Sequence, residues 1–241
     1  QAVGDIFAAP NGQLVFDAMK MADKGHGVLL LTLNYAGDQL AGKQAMKLAR
    51  KAGLNVRQVV TGEEIQYDPS GEDNKRGLAG AVALYHVAAA AAREGKSLDE
   101  VYQWVLENRL HLCHWFTVDD LFHLKRGGRI SSATAVLGTM LSIKPVMHVD
   151  DEGHLTKVGT ARGRNASLKA LVDHMAETAI DPAGQTVFIS HGDCEDEANY
   201  VAEKVKEKYQ INTIIMNQVG ATIGAHSGPG TMALFFVGDE R

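Results

Sequence analysis

The sequence predicts an α/β protein of two domains, and three observations carry that reading. Helical and strand periodicities alternate along the chain. Residues 28–33, Val-Leu-Leu-Leu-Thr-Leu, form the continuous apolar run that a strand buried on both faces requires. The pattern then changes past Glu107, so a boundary is expected near residues 107–110, with domains at 1–107 and 108–241, although no Pro- or Gly-rich linker marks it. No internal repeat or low-complexity tract is present.

In the first half, Pro10 and Asn11 open a helix that runs through Met19 to about Ala22, and Gly25 with Gly27 closes it. The strand at 28–33 follows, then a turn, Asn34-Tyr35-Ala36-Gly37-Asp38. A helix with apolar Leu40, Ala45, Met46, Leu48 and Ala49 ends at Gly53, and a second strand covers 56–60. Strand, helix and strand make one right-handed βαβ unit. Residues 61–76, with five acidic side chains, Pro69 and Gly71, read as an exposed loop. An Ala-rich helix spans 77–93, and Ser97 with Glu100 forms the capping box of the next.

In the second half, Thr117 is expected to cap a short helix carrying Leu121 and Leu124 that stops at the 125–129 turn, and Ser131 or Ser132 caps another at 133–141. Strands at 145–149 and 154–158 form a hairpin with a loop. Helices at 166–179 and 195–209 precede strands at 186–190 and 213–217, and a last strand covers 232–237.

At 241 residues the chain has room for a sizeable core, and 45% hydrophobic residues with 25 Gly and 5 Pro place it among ordinary globular proteins. A formal charge of −5 leaves no basic footprint for nucleic acid. The apolar stretches 27–33 and 79–92 are too short or too interrupted for a transmembrane segment. Cys113 and Cys194 lie far apart without CxxC spacing, so neither a disulfide framework nor a zinc site is indicated, and a reducing, cytoplasmic setting is expected. The chain begins at Gln1 rather than Met, which reads as a processed or truncated piece. With no Walker A or dinucleotide fingerprint, no cofactor or metal is expected.

Three constellations could carry chemistry. Gly224-Ala225-His226-Ser227-Gly228-Pro229-Gly230-Thr231 combines glycines, which permit tight turns and expose N–H groups, with a histidine and two hydroxyls. It suits an anionic head group, or is simply a Gly-rich turn before the last strand. Lys125-Arg126-Gly127-Gly128-Arg129 suits a phosphate or an acidic partner surface, or is a solvated turn ahead of a helix cap. Asp38 lies at the C-terminal end of the first strand, where open α/β sheets collect ligands, or is a helix cap. The cluster His111, Cys113, His114 and His123 has no ligand spacing, and His191 with Cys194 lacks a nucleophile-elbow motif.

From about Glu107 onward, Phe116-Thr117-Val118-Asp119-Asp120-Leu121, Arg126-Gly127-Gly128-Arg129-Ile130-Ser131, Ile143-Lys144-Pro145, Ala161-Arg162-Gly163-Arg164 and the 224–231 motif stand in the order of the DegV family. The second half resembles the C-terminal domain of these bacterial fatty-acid-binding proteins. The resemblance implies a fatty acid held at the domain interface, its carboxylate near His226 with Ser227, Gly228 and Thr231, and presented to a separate fatty-acid kinase. Lys125, Arg126 and Arg129 would lie on the partner-facing side. In the first half, Gly4-Asp5-Ile6-Phe7-Ala8-Ala9-Pro10, Gly27-Val28-Leu29-Leu30, Asn34-Tyr35-Ala36-Gly37-Asp38 and Arg76-Gly77-Leu78-Ala79-Gly80 resemble the dihydroxyacetone-binding subunit of dihydroxyacetone kinases. That likeness implies that Asp38 contacts a substrate hydroxyl. Ala9 stands where that family has a substrate-contacting serine, and the family's upstream Gly-rich, histidine-containing motif would precede Gln1. Its substrate-attaching histidine has no match in the first half; His226 sits in a similar loop elsewhere.

Together the two resemblances imply a hybrid of related folds: an N-terminally incomplete three-layer α/β domain with a parallel sheet, and a C-terminal α/β domain with a mixed sheet. The expected function is non-enzymatic binding of a long-chain fatty acid, the acyl chain in a tunnel lined by Leu137, Met140, Leu141 and Ile143. Asp38 would stand opposite the carboxylate and weaken its binding. The alternatives are a dihydroxyacetone kinase component with Asp38 and His226 as catalytic groups, and a folding hybrid without ligand.

Overall fold

The computed structural model describes residues 9–33, 36–60, 64–66, 74–76, 80–131, 142–151 and 153–239. Helix α1 (Gly12–Ala22) begins where the Asn11 side chain accepts the Leu14 N–H, and it buries Val15 and Met19. Strand β1 (Val28–Thr32) pairs in parallel with β2 (Val56–Val60) across α2 (Ala36–Lys51), giving the expected strand–helix–strand unit. Within β1 only Val28 and Thr32 are fully buried, whereas residues 29–31 are half-buried. Both faces of the run are nevertheless covered as expected, Leu29 and Leu31 packing on a cluster with Leu84 and Val101, and Val28 and Leu30 on one with Val15 and Ala45; one edge of the strand has no described strand partner.

Segment 61–76, expected as a loop, contains two short paired strands, β3 (Glu64–Gln66) and β4 (Asn74–Arg76). Helix α3 (Gly80–Arg93) follows, and α4 (Leu98–Asn108) starts at the capping box: Ser97 Oγ accepts the Glu100 N–H while the Glu100 carboxylate accepts the Ser97 N–H.

The second half forms a six-stranded mixed sheet in the order β7-β6-β5-β10-β8-β9. Its strands are β5 (Leu112–Thr117), β6 (Ile143–Val149), β7 (Leu155–Arg162), β8 (Thr186–His191), β9 (Thr213–Gln218) and β10 (Met232–Val237). Only β8 and β9 run parallel; the other pairs are antiparallel. The central strand β5 has no counterpart in the sequence reading. Its six residues are all buried and include the rings of His114, Trp115 and Phe116, so no alternation of polar and apolar residues announces it. Thr117, expected as a helix cap, is instead the last residue of β5 and donates its hydroxyl to the Pro145 carbonyl. The short helix α5 (Phe122–Arg126) has Leu121 at its N-cap. The helix expected at 133–141 lies outside the described residues.

Helices α6 (Arg164–Thr178) and α7 (Glu195–Tyr209) pack Leu168, Leu171, Val201 and Val205 against one face of the large sheet, which presents Trp115, Ile189, Leu234 and Phe236. The opposite face presents Phe116, Phe188 and Phe235 to α3 and α4, whose other side meets Val59, Leu29 and Leu31 of the small sheet. Beyond that sheet, α1 and α2 close a third cluster around Ala45 and Met46. The result is three layers around the parallel sheet, with α3 and α4 shared between the two sheets. Arg109 fastens the junction by donating to the Val60 carbonyl at 3.0 Å, and Arg57 pairs with Asp99 at 2.8 Å.

Candidate functional site

Two sequence-distant motifs meet because two strands are neighbours. β5 and β10 pair antiparallel with Thr117 opposite Met232, so the segment leaving β5 and the segment entering β10 emerge at one end of the sheet. The first carries α5 and the basic turn. The second carries a short helix, α8 (Ala221–Ser227), and the turn 228–231. The Gly-rich loop of the sequence reading is thus half helix: Gly224 to Ser227 are its last residues, and only 228–231 form a turn. Gly224 accepts the Gly228 N–H and closes the helix.

Glycines let the two segments touch. A methyl group at Gly127 would overlap Nδ1 of His226. Gly228, at φ 82°, lies beneath the His123 ring, where an added Cβ would be 2.5 Å from the ring. Gly230, at φ 73°, leaves the space taken by Asp119. Each of these side chains lies against backbone that has no side chain of its own.

His226 is half-buried, and burial first, then the Arg129 charge, push its pKa below the ordinary histidine value. The ring is therefore neutral at pH 7 and can share one nitrogen proton with an incoming acceptor. The basic turn divides by direction. Lys125 and Arg126 are exposed, and Arg126 lies 5.7 Å from the ring centre of exposed Phe122. Arg129 is 9% exposed and donates to the Gly127 carbonyl at 2.6 Å. Arg129 faces a small cavity of about 50 Å³ together with His226, His114, Phe116, Leu155 and Ile223. Ser227 and Thr231 also line it; their hydroxyls donate to the carbonyls of Ile223 and Gly228, which leaves lone pairs rather than protons for a ligand. His114 entered the sequence analysis only within a histidine cluster without ligand spacing, and Ile223 carries no signal there as a site residue, because the strand and helix that aim them are not legible in the sequence.

Asp38 lies elsewhere. It sits in the first turn of α2 rather than in a turn; Asn34 and Tyr35 are outside the described residues. It lines a cavity of about 620 Å³ that shares no described lining residue with the His226 cavity. Burial raises its pKa against the lowering effect of a backbone hydrogen bond. Of the expected tunnel residues, Leu137, Met140 and Leu141 are outside the described residues, and Ile143 opens β6.

The minor candidates serve local structure. His191 Nδ1 accepts the Cys194 N–H at 3.3 Å, and the Cys194 thiol, pushed up by burial, donates to the Thr231 carbonyl. His111 pairs with the Gly238 carbonyl, while Cys113 and His114 point to opposite faces of β5. Among the described residues, no group of three or more His, Cys, Asp or Glu could hold a metal ion. No helix among them is long and apolar enough to cross a membrane.

The sequence profile of the DegV family, described as uncharacterised proteins, matches residues 72–239, more than half of the chain. The chain belongs to the DegV family. A Dak1 domain profile matches residues 1–110, so the two likenesses overlap at 72–110. A DegV domain-containing protein of Clostridium perfringens is 46% identical over 169 residues, 70% of this chain and 58% of its own length. Another, of Streptococcus pyogenes serotype M3, is 38% identical over 163 residues, 67% of this chain and 56% of its own. The chain thus spans less than two thirds of these relatives. Among solved structures, a DegV family protein from Eubacterium eligens loaded with heptadecanoic acid superposes with TM-score 0.77 at 17% identity, over 96% of this chain and 79% of its own. The Streptococcus pneumoniae fatty acid kinase (Fak) B3 protein loaded with linoleic acid gives TM-score 0.77 at 16% identity, over 96% and 78%. A fatty-acid-binding DegV family protein from Thermus thermophilus gives 0.73 at 24% identity, over 96% and 78%. At these identities the likeness establishes the DegV fold.

Proposed function

We propose that the protein binds a fatty acid without transforming it, with the carboxylate at His226. The observation that carries this reading is the placing of His226 and buried Arg129 on one largely apolar cavity, with the Arg129 charge felt at the imidazole. A neutral imidazole donates one hydrogen bond to a carboxylate oxygen, and the guanidinium supplies the balancing charge in a partly desolvated place. Phe116, Leu155 and Ile223 receive the first methylenes. Members of the same fold loaded with heptadecanoic and linoleic acids support the ligand class.

The cavity, at about 50 Å³, is below the roughly 300 Å³ at which ligand pockets begin, so loading requires the contact between α5 and α8 to yield. Ser227 and Thr231 then exchange a backbone acceptor for the carboxylate. Exposed Lys125, Arg126 and Phe122 form the outward side of the same turn and suit docking of a separate fatty-acid kinase, a role supported by the kinase name of the pneumococcal neighbour. The division at 107 and 108 is part of this proposal: residues 1–107 wall the interface and 108–241 carry the head-group site. The three-carbon reading is weaker because Asp38 and His226 line cavities that share no described residue.

Mass spectrometry of the denatured protein, with titration of a fluorescent fatty-acid probe, tests the reading. A released long-chain acid, and uptake that His226→Ala weakens at least about tenfold, are expected. A protein that carries no acid and takes up no probe at micromolar concentration overturns it.

A further inference from the structure

The floor of the His226 cavity is a row of side chains carried by three neighbouring strands. Ala233 of β10 pairs with Phe116 of β5 on one side and with Ser190 of β8 on the other, and all three line the cavity. Paired residues share a face of the sheet, so the ring, the methyl and the hydroxyl stand side by side. The small side chain of Ala233 leaves room between its two neighbours. Two residues deeper the next row is His114, Phe235 and Phe188, where the His114 ring packs 4.4 Å from that of Phe235. Three hydroxyls line the cavity among the described residues, and Ser190 differs from the other two. Ser227 donates to the Ile223 carbonyl and Thr231 to the Gly228 carbonyl, whereas half-buried Ser190 has its hydroxyl committed to no partner among the described residues.

We infer that the site is selective for fatty acids bearing a hydroxyl on one of the first carbons after the carboxylate, and that Ser190 is the residue that recognises it. The inference rests on the reading of this cavity as the head-group site. In that reading Arg129 and His226 answer the carboxylate charge, and Phe116 meets the first methylenes. Ser190 stands in the row of Phe116, so it is level with those carbons rather than with the carboxylate. A plain chain crossing the row excludes water from the serine and leaves its hydroxyl unpaired, which lowers affinity. A chain hydroxyl restores the hydrogen bond, as donor or acceptor, because a serine takes either role. The space above Ala233 admits the extra oxygen. Discrimination of this kind is strong wherever a site with a polar group of its own meets an analogue that lacks the matching hydroxyl.

Calorimetric titration of the 241-residue chain at about pH 8 with tetradecanoate, and with the separate enantiomers of 2-hydroxy- and 3-hydroxytetradecanoate, tests this. All are ionised there, so the head group is constant. At least one hydroxy acid is expected to bind about fivefold or more tightly than tetradecanoate, and more tightly than its mirror image, because the serine is fixed on one wall of the cavity. Ser190→Ala should abolish that preference while leaving tetradecanoate binding unchanged or tighter. The inference is overturned if no hydroxy acid outbinds tetradecanoate, if mirror images bind equally, or if the preference survives in Ser190→Ala. Equal weakening of every acid by Ser190→Ala also overturns it, since that result would make Ser190 a donor to the carboxylate itself. Tetradecanoate binding without any preference leaves the His226 reading standing, whereas failure of every acid to bind removes both, so the two outcomes are told apart.

Discussion

The imidazole of His226 lies against Gly127, in the space that any side chain at 127 would occupy. The contact joins α8 to the turn after α5 and fixes the histidine that the proposed head-group site depends on. Gly127 has an ordinary right-handed backbone, φ −76°, so alanine there meets no conformational strain and acts only through overlap.

Gly127→Ala should therefore move His226 while preserving the fold. Overlap of this kind destabilises a protein by about 1–3 kcal/mol. Fatty-acid affinity should fall about tenfold or more, read by probe titration beside thermal unfolding. Unchanged affinity with normal stability would show that the ring position does not govern binding.

The two arginines should separate by role. Arg129→Gln removes the inward charge and should weaken fatty-acid binding about tenfold, consistent with about 1.5–3 kcal/mol for a hydrogen bond to a charged group. Lys125→Glu with Arg126→Glu should leave fatty-acid affinity unchanged and slow phosphorylation of the bound acid by a fatty-acid kinase. Equal effects of both changes on affinity would contradict the division of the turn.

The pH dependence of stability follows from two shifted groups with different signs. The pKa of His226 is lowered by burial and Arg129, so the unfolded chain holds the proton more tightly; the stability it contributes is present above the unfolded value, 6.5, and is lost as pH falls through the folded value. His226→Gln should flatten urea-unfolding free energies below pH 6.5. Asp38 behaves oppositely: burial raises its pKa, so stability is greatest below the unfolded value, 3.8, and declines as pH rises through the folded one. Asp38→Asn should stabilise the protein at pH 7 and have little effect at acid pH below 3.8. If the two substitutions gave parallel pH profiles, the assigned environments would be wrong.

Asp38→Ser tests the separation of the cavities. Had Asp38 stood opposite the carboxylate, the change would tighten fatty-acid binding at neutral pH. With no described lining residue shared between its cavity and that of His226, fatty-acid affinity should stay within about twofold at every pH. A large gain would place Asp38 back at the head group.

Ser97→Ala should cost about 1 kcal/mol in urea unfolding by removing the hydroxyl that accepts the Glu100 N–H, while the Ser97 N–H still donates to the Glu100 carboxylate. Glu100→Ala should cost less than this, and the double substitution less than the sum, since the two residues bond each other.

What could be read from residues alone was set by short-range rules. Asn11 and the Ser97/Glu100 pair mark helix starts, Gly53 and Gly127 mark ends, and the 28–33 and 232–237 runs mark strands, because caps, turns and apolar runs are decided within a few residues. The 126–129 and 224–231 motifs were also visible, as was their family likeness. Strand β5 was not, since a central strand buried on both faces loses the period of two, and its ring-rich sequence reads equally as helix or coil. The inward turn of Arg129, the contact of His226 with Gly127 and the separation of Asp38 from both were decided only by tertiary structure. They depend on β5 pairing with β10, a contact between residues more than a hundred positions apart, and no local periodicity encodes which strands become neighbours.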